Sequence, residues 1–140
     1  MRILVVNAGS SSLKLGVLDG DDLAAEAELS GSADQATIAK QIESFGPVDA
    51  AGHRIVHGGT LYRAPVLIDA KVRQRLDSLT DLAPLHQPKS LAALDTVSAI
   101  MPDVPAVACF DTAFHATIPD AASTYALPSE WRERWSVRKF

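Results

Sequence analysis

An apolar run, Ile3-Leu4-Val5-Val6, enters the loop Asn7-Ala8-Gly9-Ser10-Ser11-Ser12, and beyond it Leu13, Leu15 and Val17 alternate with Lys14 and Gly16. Alternation at period two marks a strand. The segment therefore predicts a β-hairpin that closes into a third strand through the turn Asp19-Gly20. Its tip is built to hold phosphate. Gly9 lets the backbone approach an anion, serine hydroxyls and loop N–H groups donate to oxygens, and Lys14 adds a positive charge. A Walker-type loop would instead pass into a helix and end in Gly-Lys-Ser/Thr.

The rest of the chain alternates helices with strands. Leu23, Ala25, Ala27 and Leu29 continue the period-two pattern until Ser30-Gly31-Ser32 breaks it. Ser32 or Asp34 caps a helix with Ile38, Ile42 and Phe45 on one face, stopped by Gly46-Pro47. A strand over 48–56 runs into His57-Gly58-Gly59, and an irregular piece follows through Pro65 and Ile68. Asp69 caps a second helix carrying Val72, Leu76 and Leu79. Pro84 and Pro88 bracket a short rigid loop, Leu85-His86-Gln87. A third helix with Leu91, Leu94, Val97 and Met101 leads to a buried strand over 104–110 and then Asp111-Thr112-Ala113. Ser129 caps a short helix with Trp131 and Trp135. This order predicts an α/β domain, three antiparallel strands followed by parallel crossover units.

Composition narrows the function. With 140 residues, 47% hydrophobic and 21% charged, the chain has the makings of one globular domain with a real core. A net charge of −4 argues against nucleic acid, because the only basic cluster, Arg132, Arg134, Arg138 and Lys139, is interrupted by Glu133. Cys109 stands alone, so neither a disulfide within the chain nor a cysteine metal cluster is expected. Neither a secretory leader nor an apolar run of membrane-spanning length is read, and a cytoplasmic protein is expected.

Four segments, Leu-Val-Val-Asn-Ala-Gly-Ser-Ser-Ser-Leu-Lys (4–14), Gly-His-Arg-Ile-Val-His-Gly-Gly (52–59), Ala-Pro-Leu-His-Gln-Pro (83–88) and Phe-Asp-Thr-Ala-Phe-His (110–115), together resemble the acetate kinase family. The resemblance covers the entire chain but only the N-terminal part of the family pattern. It implies the fold of the acetate and sugar kinase, Hsp70 and actin superfamily, with residues 1–140 forming a single ribonuclease H-like lobe, a mixed sheet flanked by helices. This lobe would bind the acyl substrate and phosphate. The family's nucleotide-binding second lobe would follow Phe140 and is absent here, so the chain is expected to be an N-terminal fragment, inactive alone. Trp131, Trp135 and Phe140, so near the end without a stop signal, fit a chain cut in mid-course.

The reaction implied is reversible phosphoryl transfer from ATP to acetate, giving ADP and acetyl phosphate, with Mg²⁺ (or Mn²⁺), in a homodimer. The acceptor is a carboxylate, with a pKa of roughly 4, so it is already the nucleophile at neutral pH. Asp111 then serves less as a general base than as a Mg²⁺ ligand or an orienter of metal-bound water. Arg54 is the leading candidate, since its planar fork can bind a carboxylate or the transferring phosphoryl group. At the end of a buried strand an unpaired cation would be costly, so a structural ion pair is the alternative; the matching motif favours function. His86 matches the family histidine that donates a hydrogen bond in the transition state. Asn7 contacts phosphate or, directly or through water, the metal. Ser10, Ser12 and Lys14 are further phosphate-side residues, with Ser11 read as turn chemistry. Val56 and Leu85 correspond to the apolar residues enclosing the acyl methyl group, with core packing as the competing reading.

His53, His57, His115 and Cys109 receive structural roles. Thr60 departs from the acidic residue common in the family after His-Gly-Gly. Propionate or butyrate kinase activity is the nearest rival, because one methylene discriminates by only about 1–3 kcal/mol. A noncatalytic phosphate-binding module is the alternative from another class. Loss of Arg54, His86 or Asp111 would favour it, and all three are present.

Overall fold

A computed structural model describes residues 1–140. Strands β1 (Arg2–Ala8), β2 (Ser12–Asp19) and β3 (Asp22–Ser30) form the expected antiparallel meander, turning at Gly20, whose φ of 62° favours glycine. β4 (Ala50–Ile55) joins β1 in parallel, β6 (Ala106–Phe110) joins β4 in parallel, and β5 (Val66–Leu67) lies antiparallel at the far edge. The six-stranded order is β3-β2-β1-β4-β6-β5. The expected mixed α/β sheet is present, with one addition. The irregular piece after Thr60 contains β5, a strand of two residues, too short for periodicity to reveal.

Helices α1 (Gln35–Ser44), α2 (Ala70–Asp77) and α3 (Gln87–Ile100) bring their apolar residues to one face of this sheet. Asp34 and Asp69 cap the first two, each accepting a backbone N–H bond, from Thr37 at 2.8 Å and from Val72 at 2.7 Å. Alternation puts Leu4, Val6, Leu13, Leu15 and Val17 on that face, where they pack with Ile38 and Ile42 of α1 and Val97 of α3. A second cluster joins Ile55, Ala108 and Phe110 to Val72 and Leu76 of α2 and Leu91 and Leu94 of α3. α3 contributes to both, so it spans the core. Lys14, Arg54 and Cys109, at the intervening strand positions, are exposed on the opposite face.

Two local expectations are corrected. Pro88 does not close a loop; it lies in the first turn of α3, where its missing N–H costs nothing, and Gln87 is already helical. At the C-terminal end, α4 (Asp120–Ser123) precedes α5 (Ser129–Trp135), whose cap is Pro128 rather than Ser129. No helix is long and apolar enough to cross a membrane.

Candidate active site

The chain crosses the same end of the sheet three times, at the hairpin after β1, at His57-Gly58-Gly59 after β4, and at Asp111-Thr112 after β6. Parallel strands place their carboxyl ends together, which is where open α/β sheets gather ligand-binding groups.

Arg54, one residue before the end of β4, is the centre of the arrangement. Its Nε donates to Asp111 Oδ1 at 2.9 Å, its Nη2 to Oδ2 at 2.6 Å, and its Nη1 to Asn7 Oδ1 at 3.0 Å. The expectation of a buried strand end is corrected here. The Arg54 side chain is 47% exposed, because β4 alternates and Ile55 takes the inward position. The ion pair considered as its alternative role is present and leaves the second hydrogens on Nη1 and Nη2 free. Hydrogen bonding to Asp111 raises the Arg54 pKa above its ordinary value, so the fork stays cationic.

Lys14 lies directly across from Asn7 in the β1–β2 register, with Nζ 4.0 Å from Glu28 Oε2 on β3. Ser10 is exposed at the hairpin tip and Ser12 is half-buried at the start of β2. The Ser11 carbonyl accepts a backbone bond from Gly31 N–H at 2.9 Å. His86 sits exposed at the N-cap of α3. Val56 is half-buried just past β4, whereas Leu85 is 79% exposed, so it is not enclosed in any pocket within this chain. Asn7, Arg54 and Asp111 are thus joined directly, Lys14 stands beside Asn7, and Val56, Leu85 and His86 make no hydrogen bond or ion pair with them.

The loop behind Arg54 is fastened by residues that motif reasoning passed over. Thr112 Oγ1 accepts from Gly58 N–H at 3.0 Å, tying β4's exit to β6's exit. Gln87, fully buried, donates from Nε2 to the carbonyls of Leu76 at 3.1 Å and His57 at 3.3 Å. Its place at the first turn of α3, next to His86, was the available signal. His57 Nδ1 accepts from Gly59 N–H at 2.9 Å, and burial lowers its pKa, so the ring is neutral with its proton on Nε2. These contacts give His57 the structural role expected of it. Gly58 has no room for a side chain: a Cβ there would lie 2.5 Å from the Tyr62 carbonyl oxygen.

The oxygen donors of Asn7 and Asp111 suit a hard cation such as Mg²⁺ shared with substrate phosphates. No group of three His, Cys, Asp or Glu side chains is assembled to hold a metal without such help.

Comparison with known proteins decides the kinship. The acetokinase family profile matches residues 36–140. The chain belongs to the acetokinase family. Among curated relatives, the acetate kinase of Helicobacter acinonychis is 50% identical over 99 residues, covering 71% of this chain and 25% of that protein. The acetate kinase of Thermoanaerobacter pseudethanolicus is 37% identical over 177 residues, covering all of this chain and 44% of the relative. That stretch exceeds the length of this chain, so the relative carries segments without a counterpart here. A propionate kinase from Francisella tularensis superposes with a TM-score of 0.83 at 28% identity, over 99% of this chain and 44% of that one. The acetate kinase of Porphyromonas gingivalis gives 0.82 at 26%, over 98% and 44%. The chain spans from a quarter to less than half the length of these acetokinase-family proteins. The N-terminal hairpin lies outside the family match, and its kinship rests on these whole-chain and structural similarities.

Proposed function

We propose that this chain is the acyl-substrate and phosphate-binding lobe of an acetate kinase, which transfers the γ-phosphoryl group of ATP reversibly to acetate. The observation that carries this reading is the Arg54 fork, aligned by Asp111 and Asn7 beside a serine-rich hairpin, with two N–H groups left to donate. Phosphoryl transfer depends on positioning and charge neutralisation more than on a base. An acetate carboxylate arrives ionised, and Arg54 offsets the repulsion between it and the incoming phosphate. Asp111 keeps the fork oriented and need not accept a proton. The Ser10 and Ser12 hydroxyls and Lys14 hold phosphate oxygens, His86 donates a hydrogen bond to the transferring group, and Val56 and Leu85 face the acyl methyl.

Mg²⁺, held by Asp111 and Asn7 together with the phosphates, would supply charge neutralisation of the nucleotide. ATP binding belongs to a second lobe, and residues 1–140 by themselves hold phosphate without turnover. The reading extends to a homodimeric enzyme working in the cytoplasm, as the family resemblance implies. Propionate is the second acceptor considered, supported by the propionate kinase among the structural relatives.

The test is to incubate ATP, Mg²⁺ and acetate with the longest natural polypeptide carrying these residues and trap acyl phosphate with hydroxylamine. Acetyl hydroxamate should form in step with ADP. ADP release without hydroxamate would contradict acetate as the acceptor.

A further inference from the structure

Lys89 is a cation that neither the motifs nor the reaction accounts for. It lies in the first turn of α3, where the positive end of the helix dipole disfavours a lysine. Its side chain reaches across to the hairpin and donates from Nζ to the Ser10 carbonyl at 2.5 Å. No carboxylate lies within ion-pair distance of it, in contrast to Lys14 beside Glu28. It also lines a crevice of about 220 Å³ with Gly9, Ser12 and Gly31, directly behind the tip. Arg54 stands on the open face of the sheet and Lys89 comes from a helix on the covered face, so the tip is flanked by a cation on each side.

We propose that Lys89 is a further phosphate-binding residue of the hairpin, resting on the Ser10 carbonyl and exchanging it for an oxygen of a bound phosphate chain. A neutral carbonyl is a weaker partner for an ammonium than a phosphate oxygen, so the exchange is favourable once the anion arrives. The exchange is local, because Lys89 is exposed and its stem is flexible. This inference rests on the reading of the hairpin as a phosphate site.

The experiment is calorimetric titration of inorganic tripolyphosphate into the natural polypeptide carrying this chain, at low salt, with Lys89→Met and Lys89→Arg. Lys89→Met should weaken binding about tenfold, the loss expected for one charge-assisted hydrogen bond, and Lys89→Arg should recover most of it. Thermal midpoints should match the wild type. Binding by Lys89→Met within twofold of wild type, or an arginine variant no better than methionine, would overturn the assignment while leaving the hairpin reading intact. A wild type that takes up no tripolyphosphate would remove the hairpin reading and this inference with it.

Discussion

Arg54 and Asp111 meet side-on at the ends of two adjacent parallel strands, with Nε 2.9 Å from Oδ1 and Nη2 2.6 Å from Oδ2. A carboxylate with both oxygens on one edge of a guanidinium is an orienting group. Because the pair is half-exposed, its net contribution to folding is at most about 1 kcal/mol. The arrangement therefore makes better sense as alignment of the fork than as reinforcement of the fold.

His53 should make stability depend on pH. It is 1% exposed, its side chain lies between Val6 and Ala108 in the sheet register, and neither ring nitrogen has a partner. Burial pushes its pKa down to about 4, so the unfolded chain binds the proton more readily. The contribution is complete above about pH 6.5 and is lost as pH falls toward 4. By linkage about 2 kcal/mol should disappear between roughly pH 7.5 and 5. Urea unfolding of the wild type and His53→Leu checks this. The difference between the two should change by that amount over the window; parallel curves would contradict a buried neutral imidazole.

Gly58 and Gly46 should separate a glycine needed by the site from one needed only by a turn. A Cβ on Gly58 would also come within 3.0 Å of the Phe110 ring, whereas at Gly46, with φ of 77°, it meets nothing within 4 Å. Gly46→Ala should cost about 1–2 kcal/mol from backbone strain alone and leave turnover within twofold. Gly58→Ala must displace backbone, at about 1–3 kcal/mol, and should lower turnover more than tenfold by moving the exit of β4. Equal turnover in the two variants would detach this loop from the chemistry.

Much of the fold was legible because its signals are local. An apolar run marks β1 and period-two alternation marks β2 and β3; Asp69 announces α2 by cap chemistry, and of the two caps offered for α1, Ser32 and Asp34, the structure uses Asp34. What the chain order could not reveal depends on tertiary register. Arg54 looks buried in a run of apolar neighbours, and only the pairing of β4 between β1 and β6 shows which face it takes. β5 exists because β6 offers an edge, and Gln87 matters through carbonyls 11 and 30 residues away. The candidate site was named from its motifs, while the join of Asn7 and Asp111 through one guanidinium required coordinates.

Val56→Ala should widen the acyl side of the site. Val56 is half-buried next to the strand that carries Arg54. Removing two methyl groups should shift relative kcat/KM from acetate toward propionate and butyrate by about tenfold, within the range a hydrophobic contact can discriminate. An unchanged ratio would return Val56 to core packing.

The central claim is that Arg54 acts on substrate rather than on the fold, and steady-state turnover of Arg54→Ala in the natural polypeptide, paired with its thermal midpoint, tests it most directly. The account predicts a fall in acyl phosphate formation of about 10²–10⁴-fold, with stability changed by no more than about 1 kcal/mol. Near-normal turnover, or a loss explained entirely by unfolding, would contradict it.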